Sequence, residues 1–125
     1  MLKMQDDKRS NLNQPIFDYE DFLERIDGDT ALLKEVLEIF LEDTPELFAD
    51  LDAGIKNRDG EAVERAAHTL KGAAANISAK KLQVLSHQLL LEMRKGELVN
   101  AEHVYDDMVK NYNKLEKLLT SHLAE

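Results

Sequence analysis

The residues of this chain best equipped for chemistry stand together between Glu64 and Ala75. A histidine keeps an unprotonated ring nitrogen near neutral pH and can serve as nucleophile or ligand. Here that residue is His68, followed by Lys71 and Gly72. If the stretch is helical, both lie about one turn from the histidine. With Leu70 as the centre of a face and about 100° per residue, Val63, Ala66, Ala67, Ala73, Ala74 and Ile77 fall within roughly 60° of it. His68 falls roughly 160° away. The spacing therefore predicts a buried small-residue stripe and an imidazole on the outer face. An exposed helix face normally carries long polar side chains, yet one and two turns after His68 come Gly72 and Ala75. Glycine inside a helix costs about 0.8–1 kcal/mol relative to alanine, and its bare backbone lets something approach closely. Lys71 can set its ammonium beside whatever is attached to the ring. An outward nucleophile, a cation and a cleared space describe a site that accepts an anion.

The elements that must hold this site read as helices. The 125 residues include only two prolines and five glycines, and Leu, Glu, Lys and Ala are abundant. Residues 1–15 are polar without sustained periodicity and read as a flexible leader or linker, closed by Pro15. Residues 16–125 read as a single helical domain. A short amphipathic helix, Asp18 to Ile26, is anchored by Phe22, Leu23 and Ile26 and stopped by Asp27-Gly28, with Gly28 in the position after the cap. Asp29 or Thr30 caps a long helix whose stripe runs Leu33, Val36, Leu37, Phe40, Thr44, Leu47, Phe48, Leu51, Ile55. Because the spacing holds across Pro45, one helix with a local kink is expected, the alternative being a break at Thr44-Pro45. After a turn at Lys56-Asn57-Arg58, Asp59 caps the His68 helix, Glu61 suits its first turn, and it ends near Asn76-Ile77.

Ser78 is expected to cap the next helix, which runs to about Lys95 and stops at Gly96. Leu82, Leu85, Leu89 and Met93 form its inner stripe. Val84, His87 and Leu91 form a weaker strip on the other side. That strip either packs under neighbouring helices, the preferred reading, or offers a patch to a partner. The last helix starts between Glu97 and Asn100, buries Ala101, Val104, Met108, Tyr112, Leu115 and Leu119, and ends near His122. Four helices of roughly 17–26 residues with short connections make an all-α, antiparallel four-helix bundle, with the short N-terminal helix covering one end.

Ala67-His68-Thr69-Leu70-Lys71-Gly72, followed by Ala73-Ala74-Ala75-Asn76-Ile77 and then Leu82, closely resembles the histidine phosphotransfer (HPt) domain of multistep phosphorelays. The likeness extends more weakly from about Phe17 to Leu119. Ser78-Ala79 stands where the family often has Gly-Ala. Leu90 stands where some members set a glutamine against the active histidine, so that role is not carried over. The resemblance implies that His68 accepts a phosphoryl group from a phosphoaspartate on a receiver domain and passes it to another receiver. It implies that Lys71 steadies the phosphoryl oxygens, and that Gly72, with Ala75, clears room for the receiver. It further implies receiver domains and a sensor or hybrid histidine kinase as partners. No cofactor is expected on this chain, since the Mg²⁺ belongs to the receiver. A phosphocarrier without nucleotide-dependent turnover follows.

Other residues have plainer readings. Glu64, four residues before His68, either accepts an imidazole N–H or pairs with solvent or a nearby cation, the second being preferred. Arg65 flanks the same face, as a solvated residue or as a contact for an acidic partner. Thr69, Ser78 and Ser86 read as helix-surface or cap residues, and no serine sits in a Gly-x-Ser-x-Gly context. His87, His103 and His122 share no ligand spacing with His68, so no metal site is expected, although a metal-binding bundle is one alternative function. A non-catalytic helical adaptor is another. The formal net charge of −9 speaks against wrapping nucleic acid or an anionic membrane surface. No apolar run approaches the ~20 residues of a membrane span, and the N-terminus lacks the apolar core of a signal peptide. With no cysteine, disulfides and thiolate metal sites are excluded. A soluble, cytoplasmic monomer is the expectation.

Overall fold

The computed structural model describes residues 13–125, so the leader proposed over 1–15 lies almost wholly outside the described residues. Among the described residues five helices follow one another: α1 (Tyr19–Arg25), α2 (Thr30–Lys56), α3 (Gly60–Asn76), α4 (Lys80–Lys95) and α5 (Leu98–Leu123). Three begin with an aspartate whose carboxylate accepts a backbone N–H of the first turn: Asp18 from Asp21, Asp29 from Leu32 and Asp59 from Ala62. Each such cap stabilises its helix by about 1 kcal/mol. The connections at 57–59, 77–79 and 96–97 are too short for anything but reversal, so α2 to α5 run antiparallel. α3 packs most extensively on α4, then on α2; α4 meets α5, and α5 closes the bundle against α2.

α2 runs unbroken through Pro45. Proline there removes a backbone donor and costs about 3 kcal/mol. Continuation buries Phe48, Leu51 and Ile55 beyond it, at about 1.5–3 kcal/mol each, so burial outweighs the lost bond. Thr44 is fully enclosed and donates its hydroxyl to the Phe40 carbonyl. The core stripes hold as expected in α2, α3 and α5, with Val36, Leu47, Ala73 and Val104 only half-buried at their margins. The first turn differs slightly from expectation: Ile26 is the cap of α1, and both Asp27 and Gly28 take left-handed backbone after it.

Three expectations for α4 are corrected. Ser78 does not cap it. The cap residue is Ala79, without a side-chain bond, and Ser78 instead occupies the left-handed region at φ 61°. That conformation costs an L residue about 1–2 kcal/mol. It is held from outside, because Ser78 Oγ donates to Asp21 Oδ2 at 2.6 Å and the Ser78 carbonyl accepts from Asp18 N–H at 2.9 Å. Lys80 adds an ion pair to Asp18 at 2.9 Å, and Arg25 donates to the Ala75 carbonyl at 2.8 Å. α1 thus fastens the turn that ends α3. Ser86, read as a surface residue, is fully buried and satisfies its hydroxyl on the Leu82 carbonyl. The Val84–His87–Leu91 strip is not sealed, contrary to the expected burial. It lines an open groove of about 690 Å³ between α4 and α5, because α4 is covered on its Leu82/Leu89 side and α5 reaches only the edge of the other.

No sequence pattern marks Gly54. It sits where α2 crosses α3, and a Cβ there would fall 2.7 Å from Val63 Cγ2. Val63 is fully buried and, being β-branched, has little rotamer freedom. Gly54→Ala should therefore lower stability by about 1–2 kcal/mol in urea unfolding, the overpacking cost exceeding the helix-propensity gain. The Lys80 hydrogen bond, with the backbone N–H of Asp21, holds the Asp18 carboxyl below its ordinary range. A carboxylate depressed in the folded state contributes stability above its unfolded pKa of about 3.9 and loses it as pH falls further. Thermal melts of Asp18→Asn should show a shallower loss of Tm below about pH 4 than the parent chain.

Candidate functional site

α3 is sealed along one side and bare along the other. Val63, Ala67, Leu70 and Ala74 have no accessible surface, and Ala66 and Ile77 have almost none. His68, two residues from Leu70, is exposed, as are Glu64, Arg65, Thr69 and Gly72. The imidazole therefore stands outward at mid-helix, as the periodicity predicts. A Cβ built on Gly72 would meet nothing within 4 Å, so the space one turn beyond His68 is open. Ala75 is half-buried, its carbonyl engaged by Arg25. Thr69 turns its hydroxyl back to the Arg65 carbonyl at 3.0 Å, a helix-surface role.

The charged groups around His68 are arranged by tertiary packing. Glu61, Glu64, Arg65, His68 and Arg94 line one shallow depression of about 430 Å³. Arg94, from α4, is the member that sequence reasoning missed. Its Nη2 donates to Glu64 Oε1 at 2.6 Å and its Nε to the same oxygen at 3.2 Å. Glu64 thus takes the nearby-cation reading, with a cation from another helix. No local signal could have paired two residues thirty positions apart. Lys71 bends the other way: its Nζ lies 3.3 Å from His87 Nδ1 on α4. An ammonium has only donors, so in this contact His87 Nδ1 is the accepting partner. Lys71 and His87 together form one lip of the α4/α5 groove. Among the described residues no group of three His, Asp or Glu side chains could hold a metal ion, and no helix is long and apolar enough to cross a membrane.

This geometry agrees with what comparison to known proteins finds. The family model described as "Hpt domain" matches residues 35–124, which include all of α3, α4 and the site. Among solved structures, the histidine-containing phosphotransfer protein B (HptB) of Pseudomonas aeruginosa PAO1 superposes with a TM-score of 0.81 at 23% identity, over 88% of this chain and 96% of that one. The HPT domain of an Hpt sensor hybrid histidine kinase from Shewanella superposes with a TM-score of 0.75 at 16% identity, over 87% and 94% of the two chains. No curated protein matches the sequence.

With nothing beside it, Gly72 has no packing role in the free chain. Gly72→Gln should leave the fold intact and raise stability by up to about 1 kcal/mol, the opposite sign to Gly54→Ala, in the same urea measurement.

Proposed function

The chain belongs to the Hpt domain family, whose work is histidine phosphotransfer in phosphorelay signalling, and on that premise we propose that His68 is the residue that takes up and gives away the phosphoryl group. What carries this reading is the exposure of His68 at the middle of a helix whose other face is fully buried. An unprotonated ring nitrogen attacks phosphorus in line. An N–P bond forms as the aspartyl O–P bond of the receiver breaks, and the electron pair stays on the aspartate carboxylate. The other ring nitrogen keeps its proton, leaving a phosphoimidazolium that exchanges it with water. The reverse sequence delivers the group to a second receiver.

In this reading the chain is a phosphocarrier and not a nucleotide-using enzyme. Its partners are response-regulator receivers and a sensor or hybrid histidine kinase, and the setting is cytoplasmic. Mg²⁺ and the groups that stabilise the transferring charge belong to the receiver. This chain supplies a rigid platform, so docking has little side-chain ordering to overcome. Lys71 leaves His87 for the phosphoryl oxygens, exchanging an exposed bond to an imidazole nitrogen for one to an anion. Gly72 admits the receiver's loops. Arg65 borders both the His68 depression and a groove between α2 and α3, where an acidic partner surface would meet it.

The test is phosphotransfer from a phosphorylated receiver domain. The parent chain should yield an acid-labile, base-stable phosphoprotein, and His68→Gln should yield none. Label on His87 in that variant would show the assignment to be wrong. Lys71→Ala should reduce the fraction phosphorylated several-fold at low salt, since a screened surface charge pair is worth on the order of 1 kcal/mol. High salt should shrink that difference. Gly72→Gln should slow transfer in spite of its greater stability. Equal rates would mean that the open space serves no docking purpose.

A further inference from the structure

The proposed phosphoacceptor leaves one arrangement beside it unused. Arg94 reaches into the His68 depression from α4, yet both of its bonding donors converge on a single oxygen, Glu64 Oε1. Glu64 Oε2 takes no part. A guanidinium that meets a carboxylate fork to fork uses two oxygens, and this one does not. Both side chains are about half exposed, 57% for Arg94 and 50% for Glu64, so the pair is weakly held and readily exchanged. A phosphoryl group on His68 would present several oxygens and about −1.5 to −2 charges to the same guanidinium. Glu64 lies one turn before His68 on the same helix face, so its carboxylate would then face a second anion.

Resting on the assignment of His68, we propose that Glu64 and Arg94 form a charge latch: Glu64 occupies Arg94 in the free chain, and phosphorylation of His68 transfers Arg94 to the phosphoryl oxygens. Glu64 is displaced into solvent by the anion that replaces it. Its carboxylate competes for Arg94 and repels the incoming group, which keeps the phosphohistidine from becoming too stable to pass on. Arg94 pulls the other way. The pair sets how readily this chain gives up its phosphoryl group. Both are positioning residues, since neither forms nor breaks a bond to phosphorus.

The experiment uses the full chain with phosphoramidate as donor. A ring nitrogen of His68 takes the phosphoryl group and ammonia leaves. Two readouts are followed: the fraction phosphorylated at a fixed donor concentration, and the Arg94 Nε–H resonance in ¹H–¹⁵N spectra. Glu64→Gln should raise the fraction phosphorylated and Arg94→Gln should lower it, each by about two- to fivefold as expected for one screened surface charge, and both effects should shrink in high salt. In the parent chain the Arg94 resonance should move on phosphorylation. In Glu64→Gln it should start displaced, its carboxylate partner already gone. If His68 is phosphorylated while the Arg94 resonance stays in place, or if the two variants match the parent, the latch is wrong and the assignment of His68 stands. If His68→Gln is phosphorylated as well as the parent, both are wrong.

Discussion

A helix sealed on one side cannot turn about its own axis, and everything at this site depends on that. Val63, Ala67, Leu70 and Ala74 are wholly enclosed. Rotating α3 to hide His68 would expose Leu70, at about 1.5–3 kcal/mol for that side chain alone. α2 and α3 are also closely packed at Gly54, where a Cβ would fall 2.7 Å from Val63 Cγ2. The outward imidazole is therefore the only orientation that the packing allows. The bonds from α1 to Ser78 and Ala75 hold the far end of the same helix against sliding. The placement of His68 is thus a property of the core, delivered through one backbone.

How much of this can be read from sequence follows from the range of each interaction. The caps at Asp29 and Asp59 act over three residues, and both were legible. So were the face of His68 and the continuity of α2 through Pro45, since each rests on a periodicity longer than any local disturbance. Ser78 misled because serine ahead of a helix ordinarily caps it. Here the preceding helix claims it as a left-handed terminator, and the compensation comes from Asp21, far back in the chain. The Val84–Leu91 strip misled for a related reason. An apolar position on a bundle helix predicts burial only if a neighbour reaches it, and α5 does not. Gly54, the Arg94–Glu64 pair and the Lys71–His87 contact have no local signature, since each joins two helices.

The charge pattern adds a point that composition hides. The chain carries a formal net charge of −9, yet the depression at His68 sets Arg65 and Arg94 against Glu61 and Glu64, and Lys71 stands on the other side of the histidine beside His87. An acidic protein would repel the acidic pocket of a receiver at long range, but at ionic strengths near 0.15 M the field fades over about 8 Å. What a docking partner meets at contact is the local set of cations.

The buried face of α3 is built mainly of alanines, and alanine has no rotamers to lose or exchange. The interior beneath the site therefore has few alternative packings through which a change at His68 could propagate. A binding partner can favour one form of a protein over another only through a difference between those forms. If His68 is the phosphoacceptor proposed above, that difference would lie in its ring, the group it carries and the few exposed side chains beside it. Giver and receiver would then meet the same scaffold, told apart by the electrical state of its surface and not by a change in its shape.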